Sequence, residues 1–219
     1  TCADVKLNGF IASVQMTQVY RNEGNQPINA TYIFPGSTHA AVNGMIMTIG
    51  ERRLVAKIKE KEEAKQLFND AKKVGKSASL LSQKRPNVFS MEVANIMPGD
   101  VVTVELAYTE ILTAEEGVYE FVYPGVVGPR YSGDAAHTSS EVQWIQNPYL
   151  SEGTQDPVIY DISIAMTSPL PISSLESSSH SLNTIWNGKQ TVQLTLKDKA
   201  NAGNRDFILH YRLQGDKIL

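Results

Sequence analysis

The sequence is poor in the residues that staple a chain, span a membrane or carry out catalysis. Its one cysteine, Cys2, excludes an internal disulfide framework and any cysteine-based zinc cluster. Cys2 also lies at a terminus expected to fray, with no adjacent base, so it offers no anchor for nucleophilic catalysis. No apolar run approaches the roughly 18 residues of a membrane-crossing helix. No positively charged, apolar leader opens the chain, so any export signal has been removed or was never there. Twenty Lys and Arg against 23 Asp and Glu leave a net charge of -3, without the broad basic field that nucleic-acid binding needs. The four histidines, His39, His137, His180 and His210, are scattered, and no two stand at metal-ligand spacing. Gly-x-Ser-x-Gly, Gly-x-x-x-x-Gly-Lys, Gly-x-Gly-x-x-Gly and EF-hand spacings are all missing. The expectation is a non-catalytic chain without metal or cofactor.

What is present is an ordinary globular composition, 42% hydrophobic and 20% charged, dominated by period-two patterns. Alternation puts successive side chains on opposite faces of a strand. In Val101 to Tyr108, one face carries Val102, Val104, Leu106 and Tyr108. The turn signal Met97-Pro98-Gly99-Asp100 precedes it, and Asn87 to Ile96 reads as the partner strand. With Val118 to Tyr123 these predict an antiparallel meander. Earlier, Val5 to Tyr20 is extended and broken at Asn8-Gly9, Asn22 to Pro27 turns the chain into Ile28 to Phe34, and Ala41 to Ile49 faces Arg52 to Ile58 across Gly50-Glu51. Roughly seven or eight short strands in about 125 residues point to a sandwich or barrel.

One stretch has another period. Glu60 to Val74 places Ala64, Leu67, Phe68, Ala71 and Val74 on one helical stripe. Glu62 and Glu63 in the first turn and Lys72 and Lys73 in the last complement the helix dipole, and Gly75 stands where a left-handed cap is wanted. The fold expected is therefore mainly β, an antiparallel sandwich over residues 1–131 with one amphipathic helix inserted. Residues 132–157, rich in Ser, Gly, Asp, Asn and Pro, read as a linker. A smaller β-rich region spans 158–219, with alternation in Val158 to Met166, a hairpin at Asn187-Gly188 and a last strand at Phe207 to Leu213. Its four or five strands are marginal as a separate sandwich, so this half is expected to lean on the first or on chain beyond it.

The candidate functional residues are few. Arg52, Arg53, Lys57, Lys59, Lys61, Lys65, Lys72, Lys73 and Lys76 form the one basic concentration, interleaved with Glu51, Glu60, Glu62, Glu63 and Asp70. A solvated face is the plain reading; docking of an anionic polymer or an acidic partner surface is the functional one, with Arg52, Arg53, Lys65, Lys72 and Lys73 as the interaction face. Asp134, Glu141, Glu152, Asp156 and Asp161 are the carboxylates a cryptic hydrolase would draw on. Trp144 and Trp186 would line a sugar-binding face, although a tryptophan beside Asn187-Gly188 more often covers a sandwich end. Asn29-Ala30-Thr31 is a glycosylation sequon inside a predicted strand.

An ordered set of short motifs adds a family resemblance. It runs from Asn25-Gln-Pro-Ile-Asn-Ala-Thr-Tyr-Ile-Phe-Pro35 through Ile49-Gly50-Glu51-Arg52, Lys59-Glu-Lys-Glu-Glu-Ala64, Ala78-Ser-Leu-Leu81 and Asn87-Val-Phe89. Asn95-Ile-Met-Pro-Gly99, Tyr108-Thr-Glu110 and Gly128-Pro-Arg-Tyr131 complete it. In this order they resemble the VIT domain, shared by vault-associated poly-ADP-ribose polymerase, the inter-alpha-trypsin inhibitor heavy chains and bacterial proteins carrying a von Willebrand factor A domain. Where bacterial members often read Phe-Pro-Leu-Pro, this chain has Phe34-Pro35-Gly36-Ser37. The resemblance implies a non-catalytic interaction and scaffold module, a fragment of a longer protein that runs on to an A domain. It also implies a protein partner or the chain's own downstream domain as ligand, and a bacterial cell-surface, secreted or periplasmic setting. A carbohydrate- or glycosaminoglycan-binding module is the alternative.

Overall fold

The computed structural model describes residues 1–35, 39–56, 61–76, 78–85, 88–125, 159–199 and 202–215. The largest sheet grows outward from the amino-terminal hairpin, β1 (Cys2–Asn8) and β2 (Ile11–Arg21), which turns at Gly9 with φ 61°. On the β2 side follow β8 (Val101–Ile111), β4 (Ala41–Ile49) and the short β5 (Arg52–Val55). On the β1 side lie β11 (Asp161–Thr167), β14 (Thr191–Leu196) and β13 (Leu182–Asn187), making eight strands. β1 and β11 run parallel, Cys2 opposite Asp161 through Asn8 opposite Thr167. The alternation read from the sequence fixes the inner face: Val5, Leu7, Val14, Leu106, Ile164 and Met166 are all buried.

A second sheet of β12 (Ile172–Ser177), β15 (Phe207–Leu213), β10 (Val118–Tyr123) and β9 (Ala114–Glu115) adds its inward side chains to the same core cluster. Phe121, Phe207, Leu209 and Tyr211 are completely buried there, and Tyr119 stacks on Tyr211 with ring centroids 5.1 Å apart. The Tyr211 hydroxyl donates to the Gly9 carbonyl at 2.6 Å, tying this sheet to the β1–β2 turn. The third sheet, β3 (Ile28–Pro35), β7 (Val88–Ile96) and β6 (Ala78–Arg85), carries α1 (Lys61–Lys73) against β6.

Several expectations need correction. The three segments expected to form a meander fall in three different sheets: β7 pairs with β3 and β6, β8 with β2 and β4, and β10 with β9 and β15. The turn at Pro98-Gly99 therefore moves the chain between sheets instead of closing a hairpin. Asn22 explains why. Its side-chain amide donates to the carbonyls of Gln26 and Ile96, both at 3.0 Å, and its side-chain oxygen accepts from the Gly24 amide at 3.0 Å. Its backbone accepts from Gly99 at 2.8 Å and donates to Asp100 at 3.0 Å. A single buried residue thus clamps the end of β2 to the corner where β7 becomes β8.

The segment around Cys2 is not frayed. The Thr1 nitrogen donates to the Ile159 carbonyl at 2.7 Å, and Cys2 is paired on both sides, to Thr17 and Asp161, with its side chain exposed. β6 and β12, strands with weak alternation, were not among the segments expected to be extended. The hairpin at Asn187-Gly188 is one residue longer than a two-residue turn, because Asn187 pairs with Thr191 around Gly188, Lys189 and Gln190. The linker 132–157 lies outside the described residues.

Where β12 hands over to β13, His180 stacks near Tyr160 and Phe207, with centroids at 6.3 and 5.5 Å. Its ring nitrogens meet Ser179 Oγ at 2.8 Å and the Ala202 carbonyl at 3.0 Å. A carbonyl only accepts, so Nε2 carries the proton and Nδ1 accepts from the Ser179 hydroxyl. Desolvation, opposed by the Ala202 bond and assisted by Arg205, lowers the His180 pKa below its ordinary 6.5.

Two outcomes follow. Asn22→Ala strands buried backbone partners and should cost about 2 kcal/mol of unfolding free energy, read by urea denaturation; an unchanged midpoint would show that the clasp carries no stability. For His180, the folded pKa lies below the unfolded one, so its contribution is full above the unfolded value and shrinks as pH falls through it. Stability should drop between about pH 7.5 and about pH 5.5, and His180→Gln should flatten that slope. A slope identical in the variant would contradict the assignment.

Candidate functional site

The helix and the nearest sheet edge hold the residues marked out by charge. Residues 51–76 contain nine Lys and Arg against five Asp and Glu, a local +4 in a chain of -3. α1 carries Glu62 and Glu63 in its first turn and Lys72 and Lys73 in its last, and stops as predicted at Gly75, whose φ is 71°. Gly75 donates to the Lys72 carbonyl at 3.1 Å and Lys76 to the Ala71 carbonyl at 3.0 Å, closing the last turn. The Asn95 side-chain amide caps the same end, donating to the carbonyls of Lys72 and Lys76 at 3.2 and 2.8 Å. Asn95 itself sits at φ 55°, a strained position for a non-glycine residue, held there by a bond from its amide to Asn29 Oδ1 at 3.0 Å.

The five candidate residues are not gathered into one cluster. Lys65 and Lys72, seven residues apart, project from one flank of α1, while Lys73 lies a further quarter turn round, on the side away from buried Phe68. Arg52 and Arg53 are successive on β5 and so point to opposite faces of that strand. All five are exposed. Glu63 and Asp70 occupy the other flank of the helix, beside Leu67.

The helical stripe is covered only in part. Phe68 is buried and Ala64 and Ala71 are half-buried, but Leu67 is 52% exposed and Val74 67%. The reason is that α1 rests mainly on the single strand β6. Between α1, β6 and the β4–β5 edge runs a groove of about 540 Å³, with walls that include Leu54, Val55, Leu67, Phe68, Leu80 and Leu81. This apolar groove, which sequence reading missed, is the feature the incomplete stripe creates. The sequence did not mark it, because β6, the single strand on which α1 rests, alternates too weakly to be read as a strand.

A second cavity, about 600 Å³, is polar and lies at the β8–β10 end. It is walled by His39, Glu110, Glu115, Glu116, Glu120 and His210 among others, and His210 Nε2 meets Glu120 Oε2 at 2.8 Å. Among the described residues, no three His, Cys, Asp or Glu side chains are placed to hold a metal ion. Burial raises the pKa of Tyr108, Tyr160 and Tyr211, keeping these hydroxyls protonated. Of the carboxylates named as hydrolase candidates, Asp161 is engaged by Lys199 at 2.6 Å, and the other four lie outside the described residues. His137 and Trp144 also lie outside them. Trp186 lies on the inner face of β13 but is 46% exposed, lining an open cleft with Ile172 and Ser173 of β12.

Comparison with known proteins places these features. Residues 1–108 match the family model for the Vault protein inter-alpha-trypsin domain, VIT. Mouse protein mono-ADP-ribosyltransferase PARP4 is 32% identical over 217 residues, covering 94% of this chain and 10% of its own length. Rat von Willebrand factor A domain-containing protein 5A is 32% identical over 139 residues, covering 62% of this chain and 17% of its own. The chain thus spans a small fraction of the relatives it matches. The M1 zinc metallopeptidase from Deinococcus radiodurans superposes with a TM-score of 0.42 at 11% identity, over 95% of this chain and 41% of that one. No helix among the described residues is long and apolar enough to cross a membrane. Residues 1–108 of the chain are a VIT domain, a segment running from β1 into β8, and its relatives include von Willebrand factor A domain-containing proteins.

Proposed function

We propose that this chain is a non-catalytic interaction module within a larger protein, and that the groove between α1, β5 and β6 is where it holds a protein segment. One observation carries the reading. The half-covered stripe of α1 leaves Leu67 in water across the groove from exposed Val55 of the sheet edge, an arrangement that gains free energy when another surface covers it. The partner is another protein or a further domain of the same polypeptide, in keeping with relatives many times longer than this chain. The charged rim, with Lys65 and Lys72 on one flank and Glu63 and Asp70 on the other, would set the orientation of what binds.

Residues 1–125 and 159–215 act in this proposal as one unit, with 132–157 as the connection between its parts. The bacterial surface or periplasmic setting is carried over from the family resemblance; the relatives described above come from mouse and rat. A second reading, binding of an anionic glycan, draws on Lys65 and Lys72 sharing a flank.

A photo-crosslinking residue at Leu67 of the full-length protein should capture a protein segment, and the same residue at Lys6, on an exposed strand position, should not. Val55→Glu should abolish the capture. Equal capture at both positions would contradict the reading. Binding of sulfated glycans that vanishes with salt and on Lys65→Glu/Lys72→Glu would favour the second reading instead.

A further inference from the structure

The two edges of the eight-stranded sheet are treated differently by the sequence. β5 is four residues long and carries Arg52 and Arg53, the kind of charge that discourages edge-to-edge pairing. β13 at the other edge is six residues, Leu182-Asn-Thr-Ile-Trp-Asn187, with no charge and no proline. Its Ile185 is 68% exposed and its Trp186 46%.

The direction of its backbone groups can be read from the ladder. Lys197 donates to the Ser181 carbonyl at 2.9 Å, so Ser181 and Lys197 form a hydrogen-bonded pair. Bonded and non-bonded pairs alternate along an antiparallel ladder. Asn183, Ile185 and Asn187 therefore bond inward to Thr195, Gln193 and Thr191, and the N–H and C=O groups of Leu182, Thr184 and Trp186 point out from the edge. These same three residues lie opposite Leu196, Leu194 and Val192, all buried, so their side chains share the inner face of the sheet.

We infer that β13 pairs with β13 of a second copy of this chain, antiparallel across a twofold axis through Thr184. This register meets three conditions together, the second following from the first because the outward-pointing and inner-face residues are the same three. It joins outward-pointing backbone groups to their counterparts, Leu182 to Trp186 of the second copy and Thr184 to itself. It keeps inner faces aligned, because a twofold perpendicular to the sheet matches residues of equal parity. It also sets Leu182 against the half-exposed Trp186 on the inner face and Thr184 against Thr184 on the axis, pairs that favour an antiparallel ladder. Neutrality matters here because a charge on the axis meets its own copy, and this strand has none. The two eight-stranded sheets become one continuous sheet. One pair of six-residue strands is a small interface, so the dimer forms in a concentration-dependent manner.

Sedimentation velocity on the intact chain from low to high micromolar concentration tests this. The wild type should pass from monomer to dimer. Thr184→Pro removes an outward N–H and no ladder bond, so it should stay monomeric with an unchanged far-ultraviolet spectrum. Thr184→Lys should also be monomeric, and mixing it with Thr184→Asp should restore the dimer, because residue 184 faces itself. A wild type that is monomeric at every concentration would overturn the inference. So would a dimer that Thr184→Pro leaves intact, or a Lys/Asp mixture that fails to associate.

Discussion

The parallel pairing of β1 with β11 is the contact on which the architecture turns. It joins residues 2–8 to residues 161–167 in continuous register, and a hydrogen bond from the Thr1 nitrogen to the Ile159 carbonyl fastens its beginning. Through it, β14 and β13 become an extension of the sheet that the amino-terminal hairpin starts. The second sheet repeats the arrangement, with β15 lying between β10 and β12. Both sheets are thus built from early and late parts of the chain around one core cluster. Pairing across such sequence distances is entropically costly to form, and the buried Leu7, Met166, Phe121 and Tyr211 supply the compensating apolar area.

That core leaves the third sheet and α1 at the periphery. α1 is well capped, by Asn95 and the Gly75 turn, yet poorly covered. A helix held firmly at its end and only loosely along its apolar side presents that side in a fixed orientation, which is what a docking groove requires. At the opposite edge, β13 leaves Trp186 half in water above an open cleft that β12 also lines. The two open features lie at opposite edges of the same large sheet, so one copy can use both without conflict.

Much of this was legible in the sequence. Strict alternation in Val101 to Tyr108 and Val158 to Met166, the Asn8-Gly9 break and the Glu-first, Lys-last helix all announced their elements, because each is a local pattern with a local cause. Gly50, Gly75 and Gly99 were legible as turns or caps, and each adopts positive φ. What stayed hidden was long-range. The Pro98-Gly99 turn has the same signal whether it closes a hairpin or rounds a corner, and only Asn22, 77 residues earlier in the chain, decides between them. The parallel partner of β1 likewise leaves no mark on β1 itself. The basic run was visible, but its division between helix flanks and strand faces required the register of each element.

Native-state hydrogen exchange on the intact chain tests most directly whether the early and late segments make one cooperative unit. The account predicts that core amides of β1, β11 and β15 open together with the free energy of global unfolding. Exchange of β11 through β15 in a separate, lower-energy step, with β1, β2 and β8 still protected, would contradict it.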